Sequence, residues 1–434
     1  MRTWRRRLDQ ALTLQPGEGP AVIAGLSLFY LLFTGYFMLR PVRETMGVAG
    51  GIDNLQWLFT GTFIATLMCL PLFGWLVSKV RRRHILPWTY GFFASNLMLF
   101  AVLFAAQPDD LWTARAFYIW LSVFNLLSIS LAWSVLADVF TTEQGKRLFG
   151  LLAAGASCGG LSGPIIGTLL VAPLGHAGLV VVAAACLLGS VAACAYLQRW
   201  RERRPLPAAV AHPTSRPLGG NPFAGATAVL RSPYLLGIAL FVVLLASVST
   251  FLYFEQARIV SEAFTDRTRQ TQVFGLIDTV VQALAILTQV FFTGRLARRM
   301  GVGILLVAVP LMMAVGFIGL ALAPVLGLFV VVMVVRRAGE YALVRPGREM
   351  LFTVLPAEDK YKAKSFIDTV VYRAGDALSG WLKRGLDLLA DHPQLAMSMG
   401  AVLALAWAIV GTWLGRRQQA EESTGAQNKL PPPI

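Results

Sequence analysis

The residues of this chain whose types could do chemistry are arginines set in apolar sequence. The pentapeptide Arg-Pro-x-Arg-Glu occurs twice, at residues 40–44 and 345–349, and each copy ends a long apolar run. A charged side chain near the centre of a bilayer costs roughly 2.5–3.5 kcal/mol on insertion scales, so an arginine kept there needs a partner or a function. The planar guanidinium donates paired hydrogen bonds that match carboxylate and phosphate oxygens, and such bonds strengthen where the dielectric is low. The chemistry indicated is binding of an anion, above all a phosphorylated one. Arg336, Arg337 and Glu340 lie in the same run as the second pentapeptide, with Glu340 placed to share a helical face with both arginines. One carboxylate satisfies one arginine and leaves a net positive charge. The competing reading is a neutralised cluster that only fixes helix packing.

Further charges recur in apolar surroundings. Glu255 and Arg258 stand 215 residues beyond Arg40 and Arg43; Asp278 shares a run with Gln282 and Gln289; Asp368, Arg373 and Asp376 share another. Substrate contacts are assigned to Arg40, Arg43, Arg336, Arg337, Arg345 and Arg348. Gating or coupling is assigned to Glu44, Glu255, Arg258, Asp278, Glu340, Glu349, Asp368, Arg373 and Asp376, each of which also has a reading as helix glue. Arg43 and Glu44, near a membrane edge, have the further alternative of snorkelling to water.

The elements that must position these residues are membrane helices. The chain of 434 residues is 56% hydrophobic and 14% charged, with mean hydropathy +0.62, far more apolar than a soluble domain. Its apolar runs lack the strict alternation of a membrane barrel. The net charge of +15 is gathered in alternate short loops: Arg2 and residues 5–7, Lys79 and 81–83, Lys146 and Arg147, 199–204, 295–299, 360–364, and Arg416 and Arg417. The intervening loops (108–110, 172–178 and 391–393) are nearly free of Lys and Arg. By the positive-inside rule the basic side is the cytoplasm. This distribution argues against nucleic acid and for a lipid bilayer, with both termini cytoplasmic and the first span an uncleaved anchor. Cys69, Cys158, Cys186 and Cys194 fall inside apolar runs and read as packing residues. No metal or cofactor is expected.

About twelve spans are expected from the roughly twenty-residue crossing length. They lie near 21–39, 55–78, 85–106, 113–139, 148–171, 175–197, 234–255, 271–294, 302–323, 325–354, 364–390 and 395–415. This predicts an all-α polytopic protein: a segment 1–20, a six-helix half 21–197, a Pro- and Arg-rich linker 198–233, a second half 234–415 and a tail 416–434. The halves repeat. Residues 139–143 with Arg147 and Gly160 align with 354–358, Lys362 and Gly375 at a constant offset of 215. Gly74 ahead of Lys79 matches Gly294 ahead of Arg299, where the major facilitator superfamily carries a loop motif in each half. Two pseudo-symmetric halves around a central cavity follow. Gly155, Gly159, Gly163 and Gly167 make a smooth stripe, read as close helix packing with a sliding role as the alternative.

At the arginine motifs the chain resembles the ATP:ADP antiporter (nucleotide transporter) family, a divergent major facilitator branch. Leu39, Arg40, Pro41, Val42, Arg43 and Glu44 stand where that family has Leu-Arg-Asp-x-Lys-Asp. Tyr341, Arg345, Pro346, Arg348, Glu349 and Met350 stand in its Tyr-x-x-x-Asp-Pro-x-Lys-Glu-Met pattern. Lys362 and Lys364, Ile367 and Asp368, and Thr141, Thr142, Lys146 and Arg147 are similar to further family pairs. The resemblance runs through spans one to eleven. It implies a monomeric twelve-helix exchanger of the bacterial inner membrane that swaps nucleotides or related phosphorylated anions, with Arg43 and Arg348 in the places of family lysines. Pro41 and Arg345 replace aspartates, and Asn125 lies in mid-span four where an acid is absent, so the cavity is more positive than the family pattern. Two alternatives stay open: a proton-coupled organic-anion symporter titrating Asp278, Glu255 or Asp368, and a lysophospholipid or lipid-phosphate transporter. The chain has no P-loop and no His-Glu-x-x-His site, and it is not expected to be an enzyme.

Overall fold

The computed structural model describes residues 15, 17–203, 225–323, 325–355, 357–389 and 393–427, and its regular structure is helical throughout. The expectations for residues 1–14, the linker prolines between 205 and 222, the loop residues Asp391 and His392, and the end of the tail fall outside the described residues. The helices are α1 (Gly19–Ala49), α2 (Leu55–Lys79), α3 (Arg82–Ala106), α4 (Leu111–Val139), α5 (Thr142–Glu202), the short α6 (Ala226–Arg231), α7 (Pro233–Ala263), α8 (Arg267–Thr288), α9 (Gly294–Leu322), α10 (Leu326–Gly339), α11 (Arg345–Leu351), α12 (Ala357–Phe366), α13 (Tyr372–Leu389) and α14 (Pro393–Gln427).

Among the described residues, eight helical stretches are long and apolar enough to cross a membrane. Two of these are of double length, and a single left-handed glycine breaks each: Gly175 at φ 64° inside α5, and Gly301 at φ 76° between spans eight and nine. A Cβ is strained in that conformation, so glycine marks both chain reversals. Spans ten and eleven are composites. In span ten, α10 passes through a π-turn at Glu340–Val344 into α11; in span eleven, α12 passes through a π-turn at Ile367–Val371 into α13. Together these segments make the twelve-span, all-α architecture expected from the hydropathy.

The two arginine pentapeptides take different backbones. The apolar run predicts that span one ends near Leu39, but α1 continues to Ala49 with Pro41 in its interior. Val42 and Met46 are buried, so the extra turns keep an apolar face to pack. The Thr45 hydroxyl donates to the Pro41 carbonyl at 3.1 Å. In the second copy the π-turn ends at Val344, Arg345 begins α11, and Pro346 lies in its first turn, where the upstream carbonyls of Tyr341 and Ala342 accept from Gln289 and Thr293 side chains in place of a backbone N–H.

The chain forms two compact units that do not follow the sequence midpoint. One comprises residues 1–50, 72–219 and 264–279; the other comprises 51–71, 220–263 and 280–434. In the first, α1 and α5 pack backbone to backbone. A Cβ on Gly155, Gly159 or Gly163 would fall 2.6, 2.5 or 2.7 Å from the carbonyl oxygens of Leu26, Tyr30 and Thr34. Both partners advance by four residues per contact, so the stripe is a parallel helix seam. In the second unit Phe241, Phe251, Phe317 and Trp407 fill the core. Large apolar side chains such as Trp75, Trp88, Leu322 and Leu388 are exposed, as lipid contact requires.

The start of α1 is clipped by Glu18, which is buried and accepts from Arg147 Nη2 and Gln144 Nε2, both at 2.8 Å, and from the Gln15 amide at 3.0 Å. Gln144 also closes a capping box with Thr141 at the start of α5. Burial raises the Glu18 pKa, but the hydrogen bonds from Arg147, Gln15 and Gln144 outweigh it and hold the carboxyl below its usual 4.5. A depressed carboxylate pKa contributes stability that is full above the ordinary value and lost as pH falls through the folded one. Glu18→Gln is therefore expected to lower the melting temperature at pH 7, with the gap to wild type closing below about pH 4.5. A gap that persists unchanged into acid would assign the loss to packing.

Candidate functional site

In the first unit, α1 carries Arg40, Arg43 and Glu44. Arg43 Nη2 pairs with Glu44 at 2.8 Å, its Nη1 donates to Ser122 Oγ at 3.3 Å, and its guanidinium lies 4.9 Å from the Tyr118 ring centroid. This stacking holds the guanidinium plane as well as its position. Arg40 lies over Phe37 and 3.8 Å from Asp278, a carboxylate of α8 that is only 2% exposed. The 3.8 Å separation is an ion pair beyond hydrogen-bond length. Near this group Thr271 joins His176 (2.9 Å) and Thr45 (2.7 Å) through its hydroxyl.

In the second unit, Glu255 and Arg258 pair one turn apart on α7. On α10, Arg336 and Arg337 are both buried, at 7% and 5% exposure. Arg336 Nη1 donates to Glu340 Oε2 at 2.8 Å and to Ser249 Oγ of α7 at 2.7 Å. Tyr372, the first residue of α13, lies within electrostatic reach of Asp376, Glu340, Arg373 and Arg336. Arg373 pairs with Asp376 at 3.4 Å. In this group Arg336 and Arg373 each pair with a carboxylate, Glu340 and Asp376. Farther along span ten, Arg348 pairs with Asp368 at 3.1 Å and Glu349 pairs with Lys364. Arg345 is exposed, with no ion pair among the described residues.

The residues singled out from the sequence thus gather into a group around Arg40, Arg43, Glu44 and Asp278, a group around Arg336, Glu340, Arg373 and Asp376, and a ladder at Arg348, Glu349 and Asp368, while Arg337 is buried next to Arg336 in sequence. Glu255 and Arg258 form a separate pair. Sequence reasoning passed over Tyr118, Ser122, Ser249 and Tyr372, whose residue types carry no charge signal. It also passed over Lys383, which is 5% exposed and pairs with Asp387 at 2.5 Å. That pair was detectable, because Tyr372, Asp376, Ser379, Lys383 and Asp387 recur at helical spacing along one face of α13.

Chemically, a buried ion pair stabilises little by itself, yet breaking one is costly because it strands a charge. The spans that carry these groups place them in membrane-embedded helices, where such charges are functional by default.

No curated protein sequence matches the chain. Among solved structures, it is similar to a bacterial homologue of the iron transporter ferroportin (15% identity, TM-score 0.62, covering 90% of this chain and 98% of that one). It is also similar to the human organic anion transporter MFSD10 (15%, 0.58, 92% and 100%) and to the nucleoside transporter NupG (14%, 0.59, 92% and 99%). At these identities the likeness is one of fold. The model of the Major Facilitator Superfamily matches residues 21–339, well over half of the sequence. With its twelve helical spans and buried charged groups, this multi-pass membrane transporter belongs to the Major Facilitator Superfamily.

Proposed function

We propose that the chain is an exchanger of nucleotides or related phosphorylated anions, working by alternating access as a monomer in the bacterial inner membrane with both termini in the cytoplasm. The observation that carries this reading is the buried Arg336 of span ten, held between Glu340 and Ser249, with Arg337 also buried next to it in sequence. A buried guanidinium in a low-dielectric site favours an anion over a cation or a neutral solute. It also favours obligatory exchange, since the positive site resists occlusion until an anion neutralises it. Arg43, stacked on Tyr118, and Arg348 are the arginines proposed to receive the substrate in the other two groups.

The test is uptake of radiolabelled ATP into intact cells expressing the protein, followed by a chase with unlabelled ADP. Saturable uptake that ADP releases is expected, with loss in Arg43→Ala and Arg348→Ala. Net accumulation without a counter-substrate would exclude exchange, and absence of ATP uptake would exclude adenine nucleotides. A second reading, proton-coupled anion symport, is favoured by one observation: the depth of Asp278, whose carboxylate faces Arg40 at 3.8 Å. It requires that collapsing the proton gradient abolish uptake and that Asp278→Asn do the same.

A further inference from the structure

Two π-turns converge on the arginine group of spans ten and eleven. Glu340 opens the first, and Tyr372 immediately follows the second. Such turns are rare and occur frequently at functional sites. The first is held in place by its neighbours: Gln289 Nε2 donates to the Tyr341 carbonyl at 2.9 Å, and Thr293 Oγ1 donates to the Ala342 carbonyl at 2.7 Å. Both donors lie in a third π-turn, Gln289–Thr293. The irregular backbone beside the arginines is therefore specifically supported.

Around Arg336, hydrogen-bonding groups come from span ten and α7. Its Nη1 is shared between Ser249 and Glu340, while its Nε–H is buried with no acceptor among the described residues. The Ser249 hydroxyl, accepting from Arg336, keeps its own proton to donate. Tyr372 lies within electrostatic reach of Asp376, Glu340, Arg373 and Arg336. A planar carboxylate is satisfied by the in-plane fork of one guanidinium. A phosphoryl group presents three terminal oxygens in a tetrahedral array and requires donors from outside that plane.

We infer that Ser249 and Tyr372 are specificity-determining residues of the anion site, selecting a tetrahedral phosphoryl group over a planar carboxylate. In this arrangement Glu340 is the internal carboxylate that a phosphoryl oxygen displaces from Arg336. The inference rests on the anion-transport reading and assigns the headgroup chemistry to that site.

The purified full-length protein tests it through ligand-induced shifts in melting temperature. The probes are phenylphosphonate, benzenesulfonate and benzoate, which share a ring and differ in headgroup shape and charge. Phenylphosphonate is expected to bind at least about tenfold more tightly than benzoate, with benzenesulfonate between them. Tyr372→Phe and Ser249→Ala are each expected to weaken phenylphosphonate about tenfold, the loss of one hydrogen bond, and to leave benzoate unchanged. Equal affinity for phosphonate and benzoate overturns the inference. Sulfonate no tighter than benzoate does so too, because selection would then be by charge alone. Binding of none of the probes, or equal weakening of all three in both variants, has the same consequence. The melting temperatures without ligand show whether the variants remain folded. Persistent phosphonate preference without ATP/ADP exchange would remove the exchange assignment and leave this one standing; exchange with an unaltered preference in Tyr372→Phe would remove this one alone.

Discussion

Gly159→Leu is expected to abolish accumulation of folded protein, and Gly159→Ala to lower the melting temperature by several degrees. A Cβ at Gly159 meets the Tyr30 carbonyl oxygen at 2.5 Å, the Thr34 amide nitrogen at 2.9 Å and Phe33 Cβ at 3.0 Å. Two of these atoms are backbone of α1, so no rotamer change relieves the contact and the helices must separate. Overpacking in a well-packed core costs about 1–3 kcal/mol per modest insertion. Here separation would also disturb the contacts at Gly155 and Gly163, because all three lie on one seam. A leucine side chain cannot be housed along that line. Gly150 provides the control on the same helix: its Cβ would meet nothing within 4 Å, and Gly150→Ala is expected to leave both yield and melting temperature near wild type. Size-exclusion profiles of fluorescently tagged variants, with melting curves in detergent, make the comparison. Wild-type behaviour of Gly159→Leu would show that the seam can open freely, which would revive the sliding role considered for the stripe.

What could be read without coordinates follows from which physical signals are local. Span number and class were legible because crossing a bilayer demands about twenty apolar residues in a row, and the glycine stripe was legible because its period is the helix's own. The backbone at the two pentapeptides was not. A helix carries on past Pro41 because Val42 and Met46 find a buried face, which is a tertiary fact. The π-turns at Glu340–Val344 and Ile367–Val371 shift hydrogen bonds by one residue without any compositional mark. Pairing was legible only where partners share a helix, as with Arg336 and Glu340. The approach of Asp278 to Arg40, and of Ser249 to Arg336, depends on helix packing between residues remote in sequence. Uncharged partners such as Tyr118, Ser122 and Tyr372 look like ordinary span residues until a guanidinium is placed beside them. Lys383 lay within reach of the periodicity argument, since its spacing from Asp376 and Ser379 completes a polar face on α13.

Arg336→Ala is expected to reduce transport by roughly a hundredfold or more, corresponding to about 3 kcal/mol. The substitution removes the donor to Ser249 and leaves Glu340 without the Nη1 bond it accepts at 2.8 Å. Breaking a buried pair from one side costs about 3–5 kcal/mol because the remaining charge is stranded, so the single variant also loses stability. Activity alone therefore does not separate anion binding from packing. The double variant Arg336→Gln with Glu340→Gln does separate them. Two neutral amides of similar volume can hydrogen-bond to each other and to Ser249 without leaving a buried charge, and the melting temperature is expected to return toward wild type. The guanidinium is then absent, and transport is expected to stay at the level of the single variant. Glu340→Gln alone completes the set: it keeps Arg336 and removes the carboxylate that competes with substrate, so apparent substrate affinity is expected to rise about tenfold. Recovery of transport along with stability in the double variant would make Arg336 a packing residue and leave anion recognition to Arg43 and Arg348. Stability restored with transport still lost is the pattern that a substrate-binding guanidinium requires.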